Sequence, residues 1–296
     1  MLILKPGNAF LDAYILMTNY IAGVKVDFGL TYSSVLAKLD QLVASDGCHY
    51  IATVNPEFIM AAQEDAAFKA ILNAADVSTP DGNGVLLAKY YLDRVADFKK
   101  DRFFSLRAFC YGVWLGVTAA VKKLPVGESV TGIDLMYEIC QRAEQRNYSV
   151  FFLGSKAASV AAGNLKKQFP HLNILGTASR FNYGVIDDAK TQQFILDLQH
   201  VRNMDSVDII FVAYGHGKQE KWIVRNNKAI NAKVCIGVGG SFDVISGLKK
   251  RAPLLVRKVK LEWFYRLLQE PRRVRRILTS VFIFPIYIFL YSLKHK

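Results

Sequence analysis

The stretch SVFFLGSKAASVAAGNLKKQF, Ser149–Phe169, decides the fold. Its first residues, apolar and rich in aromatic and β-branched side chains, read as a buried strand. Gly154-Ser155 turns the chain, and Ala157–Phe169 carries apolar residues at helical spacing. A strand that enters a helix through glycine aims the helix's free N–H groups at whatever anion sits above it. The pattern recurs towards the C-terminus. Asn173–Gly176 is a further short strand. Asp208–Ala213 leads into Tyr214-Gly-His-Gly-Lys-Gln-Glu-Lys-Trp222, which opens a helix. Val234–Val238 runs into Gly239-Gly240 and a short helix, with Ser241 as its expected cap and Asp243 in its first turn. Such alternation with short connections predicts an α/β fold: a Rossmann-like, mainly parallel sheet with helices on both faces. No full G-x-G-x-x-G fingerprint is present, which argues against a dinucleotide cofactor.

The same grammar extends upstream. Residues 1–30 read as a lead-in with strand character at Ile21–Phe28, followed by a helix over Ser33–Val43. Tyr50–Val54 is a buried strand, Asn55 a helix cap, Pro56 a first helical residue and Glu57–Asn73 one apolar-periodic helix. Asp76–Gly84 (DVSTPDGNG) is a short strand ending in a turn that carries Asp81. Thr53, Asn55 and Asp81 therefore fall where strands end, the edge at which open α/β sheets bind ligands. The plainer readings are Asn55 as a cap alone and Asp81 as an ordinary turn aspartate. Val130–Leu135 then turns at Thr131-Gly132 into a helix that runs to Arg146.

Composition bounds what such a sheet can serve. The chain has 296 residues, is 52% hydrophobic and carries a net charge of +13. Disorder is excluded, and the apolar share exceeds the usual 45–50% or so of soluble proteins. The basic excess abuts apolar runs, and no zinc-finger, RRM or KH motif is visible. Anionic lipid and diphosphate ligands account for both features better than nucleic acid does. Cys48, Cys110, Cys140 and Cys235 form no C-x-x-C pair, so they read as buried free thiols of a reducing compartment. The first residues, with Lys5 as their single positive charge, make a poor signal peptide.

Beyond residue 247 the character changes. Lys249–Arg276 holds eleven Lys and Arg residues against Glu262 and Glu270, interleaved with Trp263, Phe264 and Tyr265. Four linked blocks here, Gly237–Asp243 (GVGGSFD), Lys250–Pro253 (KRAP), Leu261–Leu267 (LEWFYRL) and Glu270–Arg273 (EPRR), resemble the C-terminal signature of the WecG/TagA/CpsF glycosyltransferases. Earlier blocks agree. Thr53, Asn55 and Glu57 resemble the family's sugar- and acceptor-facing edge. Asp81-Gly82-x-Gly84 resembles its Asp-Gly-x-Gly block, with Pro80 where Ala is usual. Gly215, Gln219 and Glu220 match its Gly-x-Pro-x-Gln-Glu loop, with Gly217 replacing Pro. The resemblance covers residues 50–92 and 128–276, while Leu92–Pro125 departs from it.

The resemblance implies a reaction and roles. Asp81 is the general base, with Thr53 and Asn55 beside it. Gly82, Gln219, Glu220, Gly239, Gly240 and Asp243 bind substrate, and Arg266 and Arg273 clamp the departing diphosphate. The donor is a UDP-sugar carrying N-acetylmannosamine, its uronic acid or a related hexose, and transfer inverts the anomeric centre. The acceptor is a polyprenyl-diphosphate-linked sugar used in cell-surface polysaccharide assembly. No two aspartates stand two residues apart, so an Asp-x-Asp metal site is missing; no metal and no cofactor are expected. Two other classes remain in view, a nucleotide-dependent oxidoreductase and a non-catalytic, membrane-tethered assembly factor; homo-oligomerisation is left open.

Two apolar stretches bear on the membrane. Phe103–Val121 lies in an insertion at about 94–126 and reads as a span, a hairpin on the membrane surface or a core helix, with Arg107 able to snorkel. Ile277–Leu293, broken by Pro285, is about 25 Å long as a helix, short of a bilayer core of about 30 Å. The expected organisation is an α/β catalytic domain over 1–246 and a membrane-associated appendage over 247–296. The expected placement is peripheral or monotopic, on the anionic cytoplasmic face of a bacterial inner membrane, with docking carrying Arg266 and Arg273 over the diphosphate.

Overall fold

The computed structural model describes residues 17–119, 129–258 and 262–295. The lead-in before residue 17, the end of the insertion at 120–128 and Leu261 of the third signature block lie outside the described residues.

Strands β1 (Met17–Ile21) and β2 (Val24–Phe28) form an antiparallel hairpin. Strands β3 (His49–Val54), β4 (Val77–Pro80), β5 (Ser149–Gly154), β6 (Asn173–Ala178), β7 (Val207–Ala213) and β8 (Ala232–Gly237) form one parallel sheet, in the order β4-β3-β8-β7-β5-β6. Successive side chains of a strand point to opposite faces, and both faces here are covered. Tyr50, Phe151, Ile210 and Cys235 pack into one core, and their neighbours Ile51, Phe152, Phe211 and Ile236 into the other. That double burial explains why the strands read as continuous apolar runs, and it bears out the α/β expectation.

Three local readings are corrected. Ile21–Phe28 is not one strand, because Ala22 and Gly23 both take positive φ (50° and 79°) and fold it into the hairpin turn. The hairpin then closes the β4 side of the sheet: buried Asp27 accepts from the Ser78 N–H at 2.8 Å and from Thr18 Oγ1 at 2.7 Å. Glu57–Asn73 is not one helix but two, Pro56–Glu64 and Ala66–Asn73. Asp65 leaves helical geometry and caps the second, accepting from the Phe68 N–H at 2.9 Å. Ser241 does not cap the helix Ser241–Ile245; it is the first helical residue, and its hydroxyl donates to the Val238 carbonyl at 2.7 Å. The cysteines are unpaired, but only Cys140 and Cys235 are buried, and Cys110 is exposed.

The apolar insertion forms a helix, Phe104–Ala119, of 16 residues. At about 1.5 Å per residue its described part is about 24 Å long. Phe104, Ala108 and Leu115 are buried against the helix Asn83–Ala96 and the C-terminal helix, whereas Leu106, Phe109, Trp114 and Val117 are exposed. The Arg107 guanidinium binds Asp101 at 2.9 and 3.3 Å.

The C-terminal segment is helical from Pro271 to Lys294, 24 residues, and is a candidate membrane-binding helix. The helix starts before Ile277, so it is about 36 Å long rather than the expected 25 Å or so. A π-turn over Thr279–Ile283 precedes Pro285, whose missing N–H and bulky ring break the regular ladder. One stripe of the helix returns to the protein. Phe284 and Ile288 are buried, the Ser292 hydroxyl lies 3.2 Å from that of Tyr91, and Tyr287 donates to Gln63 at 3.2 Å.

Candidate active site

A cleft of about 600 Å³ lies across the C-terminal ends of β3, β4, β5, β7 and β8. One wall is built by strand ends. Thr53 is buried near the end of β3, its hydroxyl 3.4 Å from the Gly237 carbonyl. Asn55 caps the helix Pro56–Glu64, accepting from the Phe58 N–H at 3.0 Å, and also borders the cleft.

Asp81 follows β4. Its N–H donates to the Val54 carbonyl at 2.8 Å, and the next N–H, of Gly82, donates to Ser129 Oγ at 2.7 Å. Gly82 takes φ of 91°, a left-handed turn that favours glycine, and the chain swings into Asn83–Ala96 with Asp81 left on the cleft wall. Burial lifts the Asp81 pKa to about 6; the nearby Arg266 and the Gly132 N–H oppose the rise, while Glu262 and Glu57 add to it. A carboxyl so poised can take a proton at neutral pH.

The glycine turn after β8 is held from below. The Gly239 N–H donates to Gln219 Oε1 at 2.9 Å, and Gln219 Nε2 donates to Glu220 Oε1 at 2.7 Å. A Cβ at Gly237 would fall 2.5 Å from that nitrogen and 2.8 Å from Glu220 Oε1, so any larger residue would displace this pair. Of these two expected substrate ligands, Gln219 does line the cleft, with its amide engaged at both ends, whereas Glu220 is buried beneath the turn and does not line it. Burial raises the Glu220 pKa to about 7, with Gln219 and two backbone N–H groups opposing. Gly239, Gly240 and Asp243 do line the cleft. Asp243 is engaged on both sides, by the Ser155 hydroxyl at 3.1 Å and by Lys249 at 2.7 Å.

The facing wall comes from the appendage. Arg266, on the helix Glu262–Gln269, pairs with Glu262 at 2.6 Å. Arg273 pairs with Glu270 at 2.9 Å, and one of its terminal nitrogens lies 3.9 Å from where a Gly240 Cβ would be. Lys249 joins Asp243 to Glu270, and Arg251 binds Asp134 through both guanidinium nitrogens at 2.6 and 2.5 Å. Arg266 and Arg273 thus line the same cleft as Asp81.

Arg276 and His216, to which the sequence assigns no role, also line it. The Arg276 guanidinium binds Glu57 at 2.6 Å, and Ser280 reaches the same carboxylate at 3.4 Å. His216 lies 3.9 Å from Glu57 and edge-on to Phe58, 4.5 Å between ring centroids. Burial lowers its pKa, Glu57 opposes and Arg276 adds, so the ring is neutral. No periodic signal marked the three arginines: the helix of Arg266 ends at Gln269, Arg273 lies in the turn Pro271–Arg273, and Arg276 is on the next helical stretch. Among the described residues no three His, Cys, Asp or Glu side chains gather as a metal would need. The arrangement suits an anion held by guanidiniums beside a group that accepts a proton.

Comparison with known proteins agrees with this chemistry. The profile of the glycosyl transferase WecG/TagA/CpsF family matches residues 19–100 and 107–296. The match is wider than the sequence blocks suggested, and of Leu92–Pro125, read as a departure, only residues 101–106 fall outside it. A Bacillus spizizenii protein named N-acetylglucosaminyldiphosphoundecaprenol N-acetyl-beta-D-mannosaminyltransferase is 29% identical over 232 residues, 78% of this chain and 75% of its own. A Staphylococcus aureus protein of the same name is 29% identical over 230 residues, 77% of this chain and 75% of its own.

Proposed function

The chain belongs to the glycosyl transferase WecG/TagA/CpsF family, and from that premise we propose that it moves a hexose-type residue from a UDP-sugar to a polyprenyl-diphosphate-linked sugar, with inversion and without a divalent metal. N-acetylmannosamine is the first donor sugar to test, since the relatives' names specify it, together with an N-acetylglucosaminyl-diphosphoundecaprenol acceptor. The observation that carries the reading is Asp81, with its pKa of about 6, electrostatically coupled to Arg266 in one cleft.

In the reaction the acceptor hydroxyl gives its proton to Asp81 as its oxygen bonds to the anomeric carbon. The bond from that carbon to the diphosphate breaks on the opposite face, which inverts the centre. Negative charge grows on the departing UDP, and Arg266 and Arg273 stabilise it, supported by the N–H groups of the glycine turn after β8. Thr53 and Asn55 border the acceptor. The exposed apolar residues of Phe104–Ala119 and of the C-terminal helix dip into one leaflet, which makes the protein monotopic, and the basic excess selects the anionic cytoplasmic face.

The test is a panel of UDP-sugars with the lipid-linked acceptor and the full chain, run with and without EDTA. UDP release, a product of the summed mass and an inverted anomeric configuration are expected, undiminished by EDTA. Absence of UDP release with every donor overturns the reading and favours a non-catalytic assembly role. Activity lost to EDTA and restored by Mg²⁺ overturns the assignment of the charge to arginine.

A further inference from the structure

A second cavity, of about 350 Å³, lies between the helices Asn83–Ala96, Phe104–Ala119 and Phe284–Lys294. Its walls are hydrocarbon: Leu87, Phe109, Val113, Pro285 and Ile288 are among them. The one phenol in the lining, Tyr91, has its hydroxyl within reach of Ser292 Oγ and the Ala108 carbonyl, at 3.2 and 3.4 Å, so no polar group there awaits a partner.

Two features single this groove out. It adjoins the cleft: Val281 lines both, and Gly84 in its lining stands three residues after Asp81. The cleft carries Arg266, Arg273 and Arg276, the last paired with Glu57 at 2.6 Å. The groove is apolar and borders that arginine-bearing cleft, which complements a hydrocarbon chain joined to an anionic head. The helix Phe104–Ala119 also leaves the groove open by composition: a Cβ at Gly116, in the lining, would meet nothing within 4 Å.

We infer that this groove binds the isoprenoid chain of the acceptor, next to its diphosphate, and so selects the acceptor by its lipid as well as its sugar. The inference rests on the proposed transferase reading and extends it. The volume lies at the low end of the 300–1,000 Å³ or so of small-molecule sites. It takes the first few isoprene units, and the remainder of the chain stays in the bilayer.

Gly116→Leu tests it, because that side chain fills the groove from a position with free space around it and improves a helix propensity. With sugar-diphosphate acceptors of increasing chain length, the wild type should show a KM that falls over the first few isoprene units and then levels. The variant should lose that dependence, with KM for a long-chain acceptor raised tenfold or more and kcat on the shortest acceptor unchanged. The same length dependence in both proteins overturns the inference. So does weaker binding of the variant to vesicles of neutral and anionic lipid with the length dependence intact, since the groove then holds bulk acyl chains. Should neither protein transfer to any acceptor, the transferase reading fails, and binding decides the groove separately. Farnesyl diphosphate should bind the wild type at least tenfold tighter than pyrophosphate and lose that margin in Gly116→Leu; equal margins overturn it.

Discussion

Asp81 stands at the end of a strand whose residues are all buried, whereas Arg266, which shares the cleft with it, sits on a helix, Glu262–Gln269, with none. The two walls of the cleft are held by different forces. The strand-end wall is fixed by the sheet and by short hydrogen bonds to backbone, Asp81 to Val54, Gly82 to Ser129 and Gly239 to Gln219. The appendage wall is fixed by ion pairs in a row: Asp243–Lys249–Glu270–Arg273, Asp134–Arg251 and Glu57–Arg276. Partly exposed pairs contribute roughly 0–1 kcal/mol each and weaken with salt. One wall is as rigid as the core, and the other can shift for a few kcal/mol. That division suits a site that must hold a base still and yet admit a lipid-linked substrate.

Asp81→Asn should have the largest effect, since it removes the group on the rigid wall that takes the proton. Turnover should fall by about 10²–10⁴ with UDP binding retained. The wild-type rate should rise with pH through about 6 and then level, as the base ionises. Stability should move the other way. The folded pKa, about 6, lies above the value near 3.9 of an unfolded aspartate, so the fold loses stability as pH climbs between those values. The asparagine escapes that penalty, roughly 1–3 kcal/mol at most, and should melt no lower than the wild type at pH 8. Near-normal turnover in this variant would remove Asp81 from the mechanism.

Arg266→Ala tests whether the two walls act as one site. Loss of a charged donor to the leaving diphosphate should lower kcat by about 10²–10³. Arg266 also holds the Asp81 pKa down, so its removal should move the acidic limb of the rate profile to higher pH. A lower rate with that limb unmoved would mean that Arg266 contacts substrate but not the field of the base.

Glu57→Gln should loosen only the appendage wall. Its pair with Arg276 is half exposed on the arginine side, so a loss of no more than about fivefold is expected. Raising NaCl should bring the wild type towards the variant, and protease should cut the appendage sooner in the variant. A loss beyond a hundredfold with the fold intact would put Glu57 on the substrate instead of on the wall.

Legibility in the sequence follows the same division. The strands could be read because both sheet faces are buried, which makes Phe151-Phe152 and Ile210-Phe211 continuous apolar pairs. Asp81 and Thr53 could be placed because a strand-end position is set by local sequence. The break at Asp65 was hidden, since apolar spacing runs on across it from Ile59 to Leu72 and only the cap geometry ends the first helix. The hairpin at Ala22-Gly23 needed a left-handed alanine, which no propensity favours. Nothing in the sequence singles out Arg276, because its partner, Glu57, is 219 residues away in the chain. Its assignment depends on where the appendage docks, and tertiary ion pairs leave no periodicity.

Gln219 and Glu220 mark the limit of motif reading: the motif put both in a loop at the site, and only the structure shows that they also hold the glycine turn after β8. Glu220→Gln separates these roles with the smallest change in rate. Glutamine keeps the oxygen that accepts from Gln219 Nε2, so the strut under Gly239 survives, and transfer should stay within about twofold at pH 7.5, where a contact beneath the site contributes little. The stability profile should change more. Glu220 is fully buried and its pKa is raised to about 7, against about 4.3 when unfolded. Between those values the folded state holds the proton that the unfolded state has released, so wild-type stability declines as pH rises from about 4 to 7. The variant has no proton to lose there, and the difference in melting temperature should widen in its favour up to about pH 7 and then hold. A rate loss of a hundredfold or more at unchanged melting would show instead that the Glu220 charge reaches the substrate through the glycine turn, and the wall assigned to the core would then carry chemistry at a second depth.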